Sequence, residues 1–233
     1  MINIIKSNQR GRTKIDWLNS FHSFSFSEYF DRQRMQFGPL RVLNEDFVDP
    51  ASGFPTHPHK NMEIITYVLR GALEHRDSTG THSVISAGDL QKMTAGKGVY
   101  HSEFNPSKVE DVHLFQIWIM PDMLDLTPSY EQITLIKDER KNKLQLVASN
   151  KKSEGRIFIS QDVNLYLADL EKETEIKYQI QNGRGVFLQT ISGELSVGEF
   201  QLSQGDAIEI SSETEVIFSA KSDTELMLFD VKI

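Results

Sequence analysis

Short apolar stretches recur along the chain, each rich in Val, Ile, Leu, Phe or Tyr and each ended by Gly, Asp, Asn or Ser. Examples are "EIITYVLRG", "VHLFQIWIMP", "GVFLQTISG", "DAIEIS", "EVIFSA" and "ELMLFDVKI". Runs of this kind, separated by turn formers at short intervals, predict the strands of an all-β sandwich or barrel. Helix is a minor expectation. In "TPSYEQITLIKDERKNK", Thr127 is a candidate N-cap ahead of Pro128, enough for a turn or two. The charged stretch from about 127 to 153 reads as a linker.

The two halves of this pattern superimpose. "YVLRGALEH" resembles "QTISGELSV", and the "AGDLQKM" turn resembles "QGDAIEI". Eleven residues after the Gly of each Gly-Asp, "VYHSE" (99–103) aligns with "VIFSA" (216–220), which places His101 on Phe218 and Glu103 on Ala220. Counting back 14 residues from Gly71 and Gly193 places His57 on Gln179 and His59 on Gln181. Internal similarity of this kind implies a duplicated structural unit. The expected architecture is two β-barrels, with chemistry-bearing residues in the first and none at the matching positions of the second.

Within the first half, "FPTHPHKNMEIITYVLRG" carries His57 and His59 at i and i+2, and "VYHSE" carries His101 and Glu103 at the same spacing. Alternate residues of a strand share a face. Two such pairs on neighbouring strands bring three imidazoles and one carboxylate to a common point inside a barrel. A lone strand histidine is more often hydrogen-bonded or exposed; two same-face pairs together favour a metal site. Three neutral nitrogens and one anionic oxygen suit Fe(II), Mn, Ni, Cu or Zn better than Ca or Mg. Four protein ligands leave coordination positions open for water, dioxygen or substrate. Glu63, four residues after His59, is a further candidate ranked below Glu103, and its apolar neighbours require that it have a partner. His75 and His82, flanking the "RDSTGT" turn, read as exposed residues, and His22 and His113 as structural ones.

Composition narrows the chemistry. The chain has 233 residues, with 25 Lys and Arg against 33 Asp and Glu, a net charge of -8. This balance and the lack of a dense basic run argue against a nucleic-acid binder, because phosphate neutralisation needs a basic face. There are no cysteines, so a metal must be held by imidazole and carboxylate. The apolar run at the N-terminus is too short for a signal peptide, and no segment approaches the length of a membrane span. A cytoplasmic protein is expected.

These motifs resemble those of the cupin superfamily. "GFPTHPHKNMEIITYVLRG" follows its first motif, with two fewer residues before the first His and one more before the last Gly. "GDLQKMTAGKGVYHSEFN" follows its second, with Thr94 in place of Pro and two extra residues before His101. The departures are similar to those of the pirin family, whose signature runs from "HSFSFSEYFD" to "MTAGKGVYHSE". The resemblance implies a bicupin, two double-stranded β-helix (jelly-roll) barrels packed together. Residues 1–130 would form the metal-binding barrel and residues 131–233 a degenerate one without ligands. It implies metal ligation by His57, His59, His101 and Glu103. The expected cofactor is one divalent metal per chain, with Fe(II) placed first and Mn, Ni, Co, Cu or Zn as alternatives.

Some members of the family are quercetin 2,3-dioxygenases and others are metal-dependent transcriptional co-regulators. The expected function is therefore a dioxygenase opening a flavonol with O2, in which Glu103 takes the substrate's hydroxyl proton. The alternative is a non-catalytic metal-binding regulator acting through a protein partner. No direct nucleic-acid or membrane partner is expected.

Overall fold

The computed structural model describes residues 1–233. The first half contains β1 (Ile2–Ile5), β2 (Gly11–Ile15), β3 (Leu18–His22), β4 (Leu40–Val48), β5 (Gly53–His59) and β6 (Glu63–Arg70). It continues with β7 (Ala72–Asp77), β8 (His82–Ser86), β9 (Asp89–Thr94), β10 (Val99–Phe104), β11 (Val112–Ile119) and β12 (Ser129–Thr134). The second half contains β13 (Gln145–Ser149), β14 (Ile157–Phe158), β15 (Val163–Leu170), β16 (Glu175–Gln179) and β17 (Arg184–Ser192). It ends with β18 (Glu194–Val197), β19 (Phe200–Ser203), β20 (Ala207–Ser211), β21 (Glu215–Ala220) and β22 (Thr224–Lys232).

Each half is a jelly-roll barrel built from a seven-stranded and a four-stranded sheet. The first pairs β12-β9-β6-β11-β4-β3-β2 with β5-β10-β7-β8. The second pairs β1-β20-β17-β22-β15-β13-β14 with β16-β21-β18-β19. The N-terminal strand β1 thus joins the sheet of the second barrel, with Ile4 opposite Ile208.

The central strands read as almost continuous apolar runs because they are buried on both faces. On β6, Ile64, Thr66 and Val68 share one face, while Ile65 and Tyr67 lie on the other. Ile65, Tyr67, Phe115 and Ile117 pack with Leu165, Phe187, Met227 and Phe229 in one core between the barrels. A second core, including Leu188, Leu195, Phe218 and Leu228, fills the second barrel. A smaller one, with Val68, Leu73, Ile85 and Leu114, closes one end of the first. The interior of the first barrel is left partly open, and that space holds the site.

Three expectations need correction. The segment after Thr127 is not helical: residues 129–134 form β12, which pairs with β9 so that Tyr130 faces Met93. Helix is limited to two single 3-10 turns, at Ser7–Gln9 and Lys137–Glu139. The stretch from 127 to 153 is therefore no free linker, because sheet pairing at both ends overrides its charge. The third correction concerns the repeat. Val99 and Val216 stand in equivalent ladders, as do His101 and Phe218, but the residue opposite Phe218 is Ile176, whereas the residue opposite His101 is His57. His57 and His59 thus correspond to Ile176 and Tyr178, three residues away from Gln179 and Gln181. Counting back from a glycine fails because the path from β16 to that glycine is three residues longer.

Candidate metal centre and its cavity

β5 and β10 lie side by side in the four-stranded sheet, with Val99 opposite His59 and His101 opposite His57. A bulge follows, because Glu103 lies opposite Phe54 and β5 spends one extra residue over the same span. The bulge turns Phe54 inward and places Pro55, which has no N–H to offer the ladder, where none is required. Gly53 lies so close to β10 that a Cβ there would be 2.2 Å from the Glu103 carbonyl oxygen. Only glycine fits this approach.

The donor atoms of His57, His59 and His101 lie within 4.8 Å of one another. The Nε2 atoms of His57 and His101 are 3.0 Å apart. His57 Nδ1 lies 2.8 Å from the Pro55 carbonyl oxygen, which can only accept, so Nδ1 carries the proton and Nε2 presents its lone pair. His101 Nδ1 is buried and has no hydrogen-bond partner. Burial, followed by the neighbouring His101 and His57 rings, pushes His59 down to about 4. Burial and the His57 and His75 rings push His101 down to about 3. These two imidazoles are therefore neutral at pH 7. Neutral lone pairs converging at short range, one ring with an unsatisfied buried nitrogen, fit a divalent cation.

Glu103 is buried and held from two sides. Gln116 Nε2 donates to its Oε2 at 3.0 Å, and Thr66 Oγ1 lies 3.5 Å from its Oε1. Its carboxylate also lies within 4.8 Å of donor atoms of both His101 and His75. His101 is thus common to two groups, one with His57 and His59 and the other with His75 and Glu103.

His75 corrects the expectation of an exposed residue. It is fully buried, opposite Glu103 across the β7–β10 ladder, with its ring centroid 5.3 Å from that of His101. Its Nε2 donates to Asp77 Oδ2 at 3.0 Å, while Nδ1 has no partner. Burial opposes ionisation of Asp77, but hydrogen bonds from Thr79, His75 and Thr81 outweigh it and hold the carboxyl down at about 2. The alternation Leu73, His75, Asp77 points these side chains inward; the turn begins only after them. His82 is exposed, 2.6 Å from Glu74.

The remaining candidates separate cleanly. Glu63 is fully buried and has its partners: Thr94 Oγ1 at 3.1 Å and Lys92 Nζ at 3.6 Å. Burial raises its pKa despite these contacts. His113 bonds Glu45 at 2.9 Å and stacks on Phe47. His22 is buried, bonded to Thr13 and Asn44.

The imidazoles open onto a cavity of 730 Å³ inside the first barrel. Trp17, Phe26, Phe54 and Trp118 give it aromatic walls. Trp17 meets Phe54 edge-on at 5.1 Å, and Trp118 meets His59 in the same way at 4.9 Å. Ser20, His22, Asn44, Asp46 and Gln116 form a polar strip on the seven-stranded sheet. Sequence reasoning missed Asn44, Asp46 and Gln116. Their signal was the alternation of polar residues on otherwise apolar strands, at Asn44/Asp46 and at Gln116. Burial drives Asp46 up to about 7, against a hydrogen bond from Ser20 and with help from nearby Glu103.

Two jelly rolls packed through their larger sheets, with an imidazole cluster in only the first, define a bicupin with one metal-type centre. The chain belongs to the pirin family: the Pirin family model matches residues 5–119, and the Quercetinase C-terminal cupin domain matches residues 146–231. It is 42% identical over 99% of both chains to the quercetin 2,3-dioxygenase of Escherichia coli (strain K12). It is 38% identical to the putative quercetin 2,3-dioxygenase of Pasteurella multocida, over 99% of this chain and 100% of that one. Among solved structures, the bacterial pirin YhhW from Escherichia coli in complex with nickel(II) matches with a TM-score of 0.94 and 41% identity. The match covers 100% of this chain and 99% of that one.

Proposed function

We propose that this protein is a metal-dependent dioxygenase that opens the ring of a quercetin-like flavonol with O2. One observation supports the reading: three imidazoles converge at short range, one of them also beside a buried carboxylate, and all four residues line a cavity with aromatic walls. The names of its relatives point the same way. In this reading His57, His59, His101 and Glu103 hold one divalent transition ion, Fe(II) before Mn, Ni, Co, Cu or Zn. Residues 1–130 form the metal-bearing unit and residues 131–233 the ligand-free one, with β1 lent across the boundary.

The bound ion would supply a Lewis acid for the substrate's hydroxyl and a centre for oxygen chemistry. Trp17, Phe54 and Trp118 take the faces and edges of the planar substrate and exclude water from it. Glu103 receives the enol hydroxyl proton on Oε1, whose sole protein donor is the distant Thr66 hydroxyl. Gln116 fixes the other oxygen, so the carboxylate stays aimed while it changes protonation.

The test is loss of quercetin absorbance under air, with carbon monoxide measured in the headspace, for protein loaded in turn with Fe, Mn, Ni, Co and Cu. Turnover with at least one metal is expected. Absence of turnover with all of them overturns the reading.

A further inference from the structure

The polar strip of the cavity reaches beyond what a metal centre needs. Thr13 Oγ1 lies 2.9 Å from His22 Nε2, and His22 Nδ1 lies 2.8 Å from Asn44 Oδ1. The amide oxygen can only accept, so Nδ1 carries the proton and Nε2 accepts from Thr13. Ser20 Oγ donates to Asp46 Oδ1 and lies 3.3 Å from His22 Nδ1. His22, Asn44 and Asp46 are all at least 97% buried. Both ring nitrogens of His22 are engaged, whereas the contacts of Asn44 and Asp46 use one polar atom of each and leave another free. The Asp46 carboxylate has no side-chain donor besides Ser20, and the Asn44 amide nitrogen has no acceptor in the protein. Both residues line the cavity, two positions apart on one face of β4.

Their place relative to the metal centre follows from the ladder. Asn44 lies opposite Gln116, the residue that holds Glu103. Asp46 lies two residues further along β4, so Asn44 and Asp46 stand about 5 Å and roughly 7 to 8 Å from Gln116.

We infer that Asn44 and Asp46, held by Ser20, His22 and Thr13, form a second recognition station that takes hydroxyl groups of the substrate remote from the reacting enol. The inference rests on the dioxygenase reading for its substrate class. A ring hydroxyl donates to the Asp46 carboxylate and accepts from the Asn44 amide. A bare ring edge does neither, and strips both groups of water without replacing it. The station therefore selects polyhydroxylated planar aromatics over those carrying the enol alone.

The test is equilibrium binding at pH 8, where Asp46 is ionised, followed by quenching of Trp17 and Trp118 fluorescence, in nickel-loaded protein without oxygen. The two ligands are quercetin and 3-hydroxyflavone, which keeps the enol and ketone and lacks the other hydroxyls. Wild type is expected to prefer quercetin by about tenfold or more, the worth of one charge-assisted hydrogen bond. Asp46→Asn and the milder Ser20→Ala should reduce that preference to about twofold or less, through weaker quercetin binding with 3-hydroxyflavone affinity equal or higher. Circular dichroism establishes that each variant is folded; if Asp46→Asn is not, Ser20→Ala decides. A preference unchanged in the folded variants, or equal loss for both ligands, overturns the second station alone. Failure of wild type to bind either ligand overturns the station and the flavonol reading together. Binding with the expected preference but no turnover under air overturns only the dioxygenase reading.

Discussion

The Nε2 atoms of His57 and His101 face each other 3.0 Å apart, on strands whose ladder sets the two residues directly opposite. Neither a carboxylate nor a backbone carbonyl mediates the approach. His57 is oriented by the Pro55 carbonyl, and His101 keeps a buried Nδ1 with no partner. A cation between the two rings would take both Nε2 lone pairs. His101→Ala removes the ring shared by both groups of donors, and the second barrel offers only Ile176, Tyr178, Phe218 and Ala220 at the matching positions. Metal affinity should fall by about 100-fold or more, read by elemental analysis after dialysis. Near-stoichiometric metal in the variant would place the site elsewhere.

Glu103→Gln should separate occupancy from turnover. The amide preserves shape but is a weaker donor, lacks the charge and cannot accept a proton, so affinity should drop by about 10-fold to 100-fold. Turnover per bound metal should fall further still. Parallel measurement of metal content and oxygen uptake distinguishes this from a simple loss of metal, which would reduce both in proportion.

Asp46 makes stability fall with rising pH over a defined window. Its folded-state pKa is raised to about 7, against an ordinary carboxylate value near 3.8. Between these values the folded protein keeps a proton that the unfolded chain has released. The contribution is complete below the unfolded pKa and is lost as pH rises to about 7, at no more than about 1.4 kcal/mol per pH unit. Asp46→Asn cannot titrate. Urea denaturation of the metal-free proteins should show wild-type stability declining relative to the variant from pH 4 to 7, then levelling. A constant difference would show that the carboxyl titrates normally.

Deletion from residue 155 onward should yield aggregates rather than a working half. The cut leaves Ile65, Tyr67, Phe115 and Ile117 without the face contributed by Leu165, Phe187, Met227 and Phe229. It also strips β1 of its partner β20. Exposed apolar patches and open sheet edges associate. Light scattering and gel filtration provide the measurement, and a soluble, metal-loaded monomer would contradict it. In the intact chain, metal should saturate near one ion, and a second tightly bound ion would contradict the assignment of the second barrel as ligand-free.

Much of this molecule follows from local pattern. Strand periodicity put His57 with His59 and His101 with Glu103 because side-chain direction on a strand is fixed by the pleat alone, whatever the strand pairs with. The same regularity made the all-β class and the duplication legible, since a Gly-Asp turn precedes Val99 and Val216 by the same eleven residues. Tertiary structure decided everything that depends on partners distant in sequence. Pairing of β12 with β9 turned an expected helical turn into a strand, and a longer path through β16 shifted the repeat by three residues. His75 looked like a turn residue and became buried beside His101 because β7 lies against β10. Asp46 is an ordinary strand carboxylate in sequence; only the walls around it make it a neutral-range acid facing a cavity. Periodicity fixes which way a side chain points, but desolvation and hydrogen bonding depend on what the fold brings to meet it.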